Sequence, residues 1–260
     1  MGARSIWKGS IACLGIINIP AKLYSATENK KVHFHQIHTC GSRITMPKFC
    51  PACNRQVEAS EIRKGYELTE DRNIILEESD FASLPLKTLK TVEITDFVDP
   101  AGIDLRCFDT AYLLTCEGKV GADKAIKLLR DAMATLKVVG IAKLVYRERE
   151  HLAVVRPYDS VFLLQTLHYA DEMRGYEEIA PKDVATSDRE REMLTAFIRQ
   201  NISPAFDLAK YHDEYREALE RLIEIKVSGG VMPVASPEQV PSGDIAEQLL
   251  RSLELAGVGK

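Results

Sequence analysis

From residue 10 to residue 167 the chain repeats the short apolar-polar alternation of extended backbone. Residues 10–19 (SIACLGIINI) and 92–98 (VEITDFV) are rich in β-branched residues, and short apolar runs recur at 74–76, 111–114, 140–145, 152–155 and 161–167. Many short strands punctuated by Gly and Pro predict a barrel or a sandwich. One helix interrupts them. Residues 122–136 set Ala125, Ile126, Leu128, Leu129, Ala132, Met133 and Leu136 at near-helical spacing, and leave Lys124, Lys127 and Asp131 for solvent, so this helix is expected to pack on the sheet.

After Tyr169 the pattern changes to long, charge-laced helices. Ser187-Asp188-Arg189-Glu190 has the Ser-x-x-Glu form that satisfies two orphan backbone donors at a helix start. Residues 205–227 carry Leu208, Tyr211, Tyr215, Leu219, Leu222 and Ile223 on one face, with Glu217 and Arg221 four apart on another, and Ser228-Gly229-Gly230 stops the helix. The Pro- and Ser-rich stretch that follows has no periodicity and reads as a linker. Beyond it, residues 244–256 (DIAEQLLRSLELA) space Ile245, Leu249, Leu250, Leu253 and Leu255 as a small amphipathic helix. Such a helix on a tether cannot bury its apolar face alone, so it docks back or docks on a partner.

Composition narrows the class. Hydrophobic residues are 45% and charged residues 28% of the 260, both near the soluble globular average. No run approaches the ~18 apolar residues of a membrane span, and no leader pattern opens the chain, so an intracellular protein is expected. The net charge of −4 argues at first against a nucleic-acid partner, since phosphate binding runs on Lys and Arg. The distribution says otherwise: residues 1–66 hold ten basic against three acidic residues, and residues 177–224 hold seven basic against twelve acidic. A basic front and an acidic back describe either two solvated faces or a polarised binding protein.

Four of the metal-capable residues crowd one window, HFHQIHTCGSRITMPKFCPAC, at residues 33–53. Cys50-Pro51-Ala52-Cys53 is a knuckle that supplies two thiolates from one turn, and His38 and Cys40 supply two more donors for a tetrahedral zinc. Free thiols and a redox pair are the alternatives, and His33 and His35 are competing donors. A closed four-ligand zinc would be structural. Cys13, Cys107 and Cys116 lie in apolar runs and are expected in the core.

Catalytic patterns are sparse. There is no Gly-rich phosphate loop, no Gly-x-Ser-x-Gly and no His-Glu-x-x-His. Glu148 with Glu150, or Asp171 with Glu172, could hold Mg²⁺ for nuclease work, but they stand in charge-rich stretches typical of a solvated face. His151 and His168 are lone histidines of the kind usually found as packing or surface residues.

Several blocks, in order, resemble the bacterial Ku family: residues 6–27 (IWKGSIACLGIINIPAKLYSAT), 64–67 (KGYE), 85–99 (PLKTLKTVEITDFVD), 140–159 (GIAKLVYREREHLAVVRPYD), 167–174 (LHYADEMR) and 211–226 (YHDEYREALERLIEIK). The resemblance implies a mixed β and α fold. A β-barrel core would span residues 1–170, with an extended bridge arm at about 30–66 that in some members resembles an atypical zinc ribbon. A helical arm would follow at 171–228, a linker at 229–243 and a short tethered helix at 244–260.

It further implies a non-enzymatic scaffold, without a catalytic cofactor, that binds double-stranded DNA ends as a ring-shaped homodimer. The scaffold would serve double-strand break repair by non-homologous end joining, at the nucleoid in the cytoplasm, with an ATP-dependent DNA ligase as partner. A ring that loads on any end must contact phosphate and sugar rather than bases. Within the matching blocks and the arm, Arg43, Lys48, Arg63, Lys64, Lys87, Lys90, Lys143, Arg147, Arg149 and Arg156 are the expected phosphate contacts. His38, Cys40, Cys50 and Cys53 are the expected zinc ligands, and Ile245, Leu249, Leu250 and Leu253 the expected ligase-docking residues. One departure is the tail, Leu-rich where many members end in a Lys-rich extension. The rival readings are a monomeric zinc-ribbon module on RNA, indifferent to free ends, and a Mg²⁺-dependent nuclease.

Overall fold

The computed structural model describes residues 4–69, 72–84, 87–116, 121–147 and 149–230, without the side chains of Ala82, Lys87 and Leu89. The chain divides into two units, one of residues 1–30 and 34–175, the other of residues 31–33 and 176–260. The predicted linker from 231 onward and the helix at 244–260, with Ile245, Leu249, Leu250 and Leu253, lie outside the described residues.

The first unit is built on β1 (Trp7–Cys13) and β2 (Ile17–Ser25). Next come two small hairpins, β3 (Phe49–Cys50) with β4 (Arg55–Gln56) and β5 (Lys64–Thr69) with β6 (Arg72–Leu76), and a short helix α1 (Glu78–Ala82). The chain then returns as β7 (Thr91–Val98) and β8 (Phe108–Cys116), crosses through α2 (Ala122–Leu136), and ends in β9 (Val139–Tyr146), β10 (Arg149–Tyr158) and β11 (Val161–Leu167). Seven of these strands close into a barrel in the order β1-β2-β8-β11-β10-β9-β7. Every neighbour pair is antiparallel except the closing one, where β7 runs parallel to β1.

Alternation fills the barrel. Ile11, Leu23, Val92, Ile94, Leu114, Leu144, Val155, Phe162 and Leu164 form one core, and α2 adds Ile126 and Met133. This confirms the helix read at 122–136. Adjacent Val154 and Val155 are both fully buried, although a strand points them to opposite faces. Val154 belongs to a second cluster with Val139 and Leu167, sheltered by Val98, Ile103, Cys107 and Phe108. The cover is held by two 3-10 turns, Pro100–Gly102 and Leu105–Cys107, whose first N–H groups donate to the Asp99 and Asp104 carboxylates at 2.8 and 2.9 Å. Cys13 is buried as expected and Cys107 packs in the second cluster, while the Cys116 thiol donates to Asp123 Oδ1 at 2.8 Å.

Two expectations are corrected. The strand read at 10–19 is a hairpin, because Leu14 and Gly15 take left-handed backbone (φ 49° and 70°) and the Ile16 N–H donates to the Cys13 carbonyl. An apolar turn leaves no polar signature in the sequence. The helix read at 205–227 is α4 (Glu214–Val227), begun by Asp213, whose carboxylate accepts from the Arg216 N–H. Before it, Phe206 stacks on Tyr211 with ring centroids 5.8 Å apart. The Ser187 cap of α3 (Asp188–Gln200) is as read, with the Glu190 N–H donating to Ser187 Oγ and the Ser187 N–H to Glu190.

Candidate nucleic-acid interface

Burial divides the chain sharply. Between Ser25 and Leu84, and again after Leu167, no described residue is buried. These stretches nonetheless expose Phe34, Met46, Phe49, Tyr66 and Ile75 in the first unit, and Ile179, Ile202, Phe206 and Tyr215 in the second.

The arm carries four of the expected phosphate contacts. Arg43 pairs in register with Ile37 across an isolated bridge, and its guanidinium lies 3.1 Å from His35 Nδ1. Lys48 makes no ion pair with a described residue. Arg63 donates to the Ser60 and Ile62 carbonyls, and Lys64 lies 4.8 Å from the Phe81 ring centre. All four are exposed.

On the barrel the expected contacts differ in availability. The backbone of Lys90 is seated against β1, since a Cβ on Gly9 would come within 2.2 Å of the Lys90 carbonyl oxygen. Lys87 begins the same 3-10 turn, Lys87–Lys90. Lys143 lies opposite Glu93 in register and 3.7 Å from Glu150, which also accepts a hydrogen bond from the buried Thr88 hydroxyl at 2.8 Å. Arg149 pairs with Glu172, and that guanidinium holds the Glu172 carboxyl below its ordinary value. Glu172 also caps the turn Ala170–Glu172 through the Tyr169 N–H and lies 3.8 Å from His168. Arg147 takes left-handed backbone at the β9–β10 turn and stacks on Tyr146, while Arg156 stacks over Phe108 with its Nε buried and unpartnered. A phosphate at Lys143 or Arg149 has to displace a carboxylate.

Two basic residues absent from the sequence reading fall beside Lys90. Lys8 and Lys22 are direct register partners across β1 and β2, and Ser10 pairs with Thr91, the residue after Lys90. Like charges placed opposite each other on a sheet face repel, which suits a place where an anion is to sit. Strict alternation in the hairpin was the signal that could have found them, and it was hidden by reading 10–19 as one strand.

The four soft donors form two pairs. The Gly41 N–H closes a turn on the His38 carbonyl, with His38 Nδ1 3.1 Å from Cys40 Sγ. Hydrogen bonds from Ser42, and then from His38, bring the Cys40 thiol down to about 7. The other pair sits in the β3–β4 hairpin, where the Cys53 N–H and then the Cys53 thiol lower Cys50, and the Cys50 side chain raises Cys53. Asn54 turns that hairpin in left-handed backbone, and Arg55 pins it to Glu61 at 2.5 and 3.0 Å. The donor chemistry suits zinc. Among the described residues, however, no group of three or more His, Cys, Asp or Glu side chains converges to hold a metal. The single tetrahedral group expected from the spacing is thus two knuckles here, each closed by its own backbone bonds.

The proposed nuclease pairs are engaged otherwise: Glu150 with Thr88 and Lys143, Glu172 with Arg149. Glu148 lies outside the described residues. His151 accepts or donates within its own hairpin, 3.2 Å from the Tyr146 carbonyl. No helix among the described residues is long and apolar enough to cross a membrane.

A closed barrel with a helix on its core, and basic residues on an unburied arm and on the barrel wall, defines a β-barrel protein built to meet a polyanion and further protein surface. Comparison with known proteins makes this specific. The family model described as the Ku70/Ku80 beta-barrel domain matches residues 14–194. A protein of Archaeoglobus fulgidus named non-homologous end joining protein Ku is 38% identical, covering 96% of this chain and 98% of its own length. Proteins of the same name from Desulfitobacterium hafniense and Symbiobacterium thermophilum are 39% and 37% identical, over 97% of this chain and 88% and 63% of their own lengths. The chain belongs to the Ku family.

Proposed function

We propose that this protein binds the ends of double-stranded DNA as a ring-shaped homodimer, without sequence preference and without turnover. It protects and holds the ends and recruits an ATP-dependent DNA ligase, so that the break is closed by non-homologous end joining, the process for which its relatives are named. One observation carries the reading. The arm between Ser25 and Leu84 and the helices after Leu167 hold large apolar side chains and bury none of them. Exposed apolar surface on this scale marks an interface. A second copy covers it most economically, because in a two-fold dimer each copy offers the same self-complementary surface.

Within that ring, Lys8, Lys22, Arg43, Lys48, Arg63, Lys64, Lys87, Lys90 and Arg147 meet phosphate, with Lys143, Arg149 and Arg156 joining only where their present partners give way. Contacts of this kind position a protein on DNA without reading its bases. His38, Cys40, Cys50 and Cys53 would hold a structural zinc, which supplies a cross-link between the two knuckles and no reaction chemistry. Ile245, Leu249, Leu250 and Leu253 would dock the ligase, and the protein would work at the nucleoid.

A gel-shift comparison on one duplex of about 40 base pairs, prepared linear and as a closed minicircle at fixed near-physiological salt, tests the proposal. Binding to the linear form alone, in stepwise complexes, is the expected result. Equal binding to both means an open groove rather than a ring.

A further inference from the structure

The β1–β2 turn breaks a local rule without compensation inside the chain. Five described non-glycine residues take left-handed backbone: Leu14, Asn54, Lys137, Arg147 and Asp159. Asn and Asp tolerate that conformation, and Lys137 ends a helix, where it is usual. Leu14 is the one apolar side chain among them. Two consecutive left-handed residues form the tight hairpin turn for which Asn-Gly is the best pair, and here the pair is Leu14-Gly15. Leu14 gains no burial in exchange, being 56% exposed, with Ile16 beside it at 86%. A bulky apolar tip on disfavoured backbone, pointing at solvent, is what a contact with another molecule leaves behind.

The surroundings say which molecule. The Leu14 N–H donates to the Ile94 carbonyl on β7, so β7 flanks the turn. From Thr91 to Leu105 there is no Lys or Arg, but there are Glu93, Asp96, Asp99 and Asp104, of which Asp104 is neutralised by Arg106. The hairpin's lysines, Lys8 and Lys22, stand at its other end. A phosphate backbone has no counter-charge here and faces repulsion. Three side chains, Leu14, Ile16 and Ile17, are also far too little surface to hold a second copy by themselves.

We infer that the Leu14–Ile17 turn is a docking knob for a protein partner whose socket is apolar and edged with basic residues. This rests on the proposed function only in taking the joining ligase as that partner.

The test is the pair of variants Leu14→Asn and Ile16→Ser in the full chain, measured with a purified ATP-dependent DNA ligase on linear duplex. Asn suits the turn, so the thermal midpoint of Leu14→Asn is expected to hold or rise. Sedimentation and gel shift on linear duplex are expected to stay within twofold of the parent, while ligase binding and the stimulation of joining fall at least tenfold. A lowered midpoint for Leu14→Asn, with joining falling in step, makes the residue structural and overturns the inference. A tenfold loss in gel shift makes it a DNA contact, and dissociation to monomers makes it a self-contact. Variants that stimulate joining as the parent does remove the inference and leave the ligase reading standing. A parent that fails to stimulate the ligase removes both.

Discussion

The Gly9 α-carbon packs directly beneath the Lys90 carbonyl: a Cβ built at Gly9 would lie 2.2 Å from that oxygen and 2.4 Å from the Trp7 ring. Backbone cannot yield as a flexible side chain can. Gly9→Ala is therefore expected to destabilise the barrel by roughly 2 kcal/mol or more, through backbone displacement in a packed wall. Denaturant unfolding would check it, and an unchanged midpoint would mean that the turn Lys87–Lys90 shifts freely.

That seating also sets up a contrast among the basic residues. Lys8→Ala and Lys90→Ala are expected to weaken DNA binding on all sequences alike, and each to reduce the slope of log K against log salt by about 0.9, the value for one phosphate left unneutralised. Lys143→Ala and Arg149→Ala remove charges already paired with Glu150 and Glu172, so the salt slope should barely move. Titrations of one linear duplex at several salt concentrations separate the two groups. Equal slopes for all four variants would remove Lys8 and Lys90 from the interface.

The cover over the second core cluster should respond to acid. Arg106 holds the Asp104 carboxyl at about 2, down from the ordinary 3.8. A depressed carboxylate contributes stability above its unfolded value and loses it as pH falls through the folded one. Stability should thus decline between about pH 4 and pH 2, and Asp104→Asn should flatten that decline while lowering the midpoint slightly at neutral pH. Thermal unfolding across this range, variant against parent, measures both.

The two knuckles make a compositional prediction. Replacing Cys50 and Cys53 with Ser is expected to remove about one zinc per chain and loosen the arm, while the barrel, which shares no core residue with it, stays folded. Elemental analysis of purified parent and variant decides the matter, since equal zinc in the two would exclude these ligands.

The helical unit offers a test of assembly. Leu194 and Ile198 stand one turn apart on α3 and are both exposed. Leu194→Asp with Ile198→Asp should shift sedimentation toward monomer and abolish retention on linear duplex, with little change in the unfolding of the barrel. A variant that stays dimeric would mean that the second copy covers another face.

Much of this protein is legible in the chain alone. The period-two runs at 92–98, 140–145, 152–155 and 161–167 became barrel strands because alternation is a local property that burial on one face enforces. The helix at 122–136 and the Ser187 cap were equally local, set by residues three and four apart. The hairpin at Leu14-Gly15 was not, because its turn lacks polar residues. Nor was closure of the barrel by parallel pairing of β1 with β7, which joins residues some eighty apart and which no spacing rule encodes. Basic residues could be counted from composition. Only strand register set Lys8 against Lys22 and Lys143 against Glu93, and only tertiary packing put Glu172 on Arg149, because a charge's availability depends on which partner the fold brings within a few ångströms.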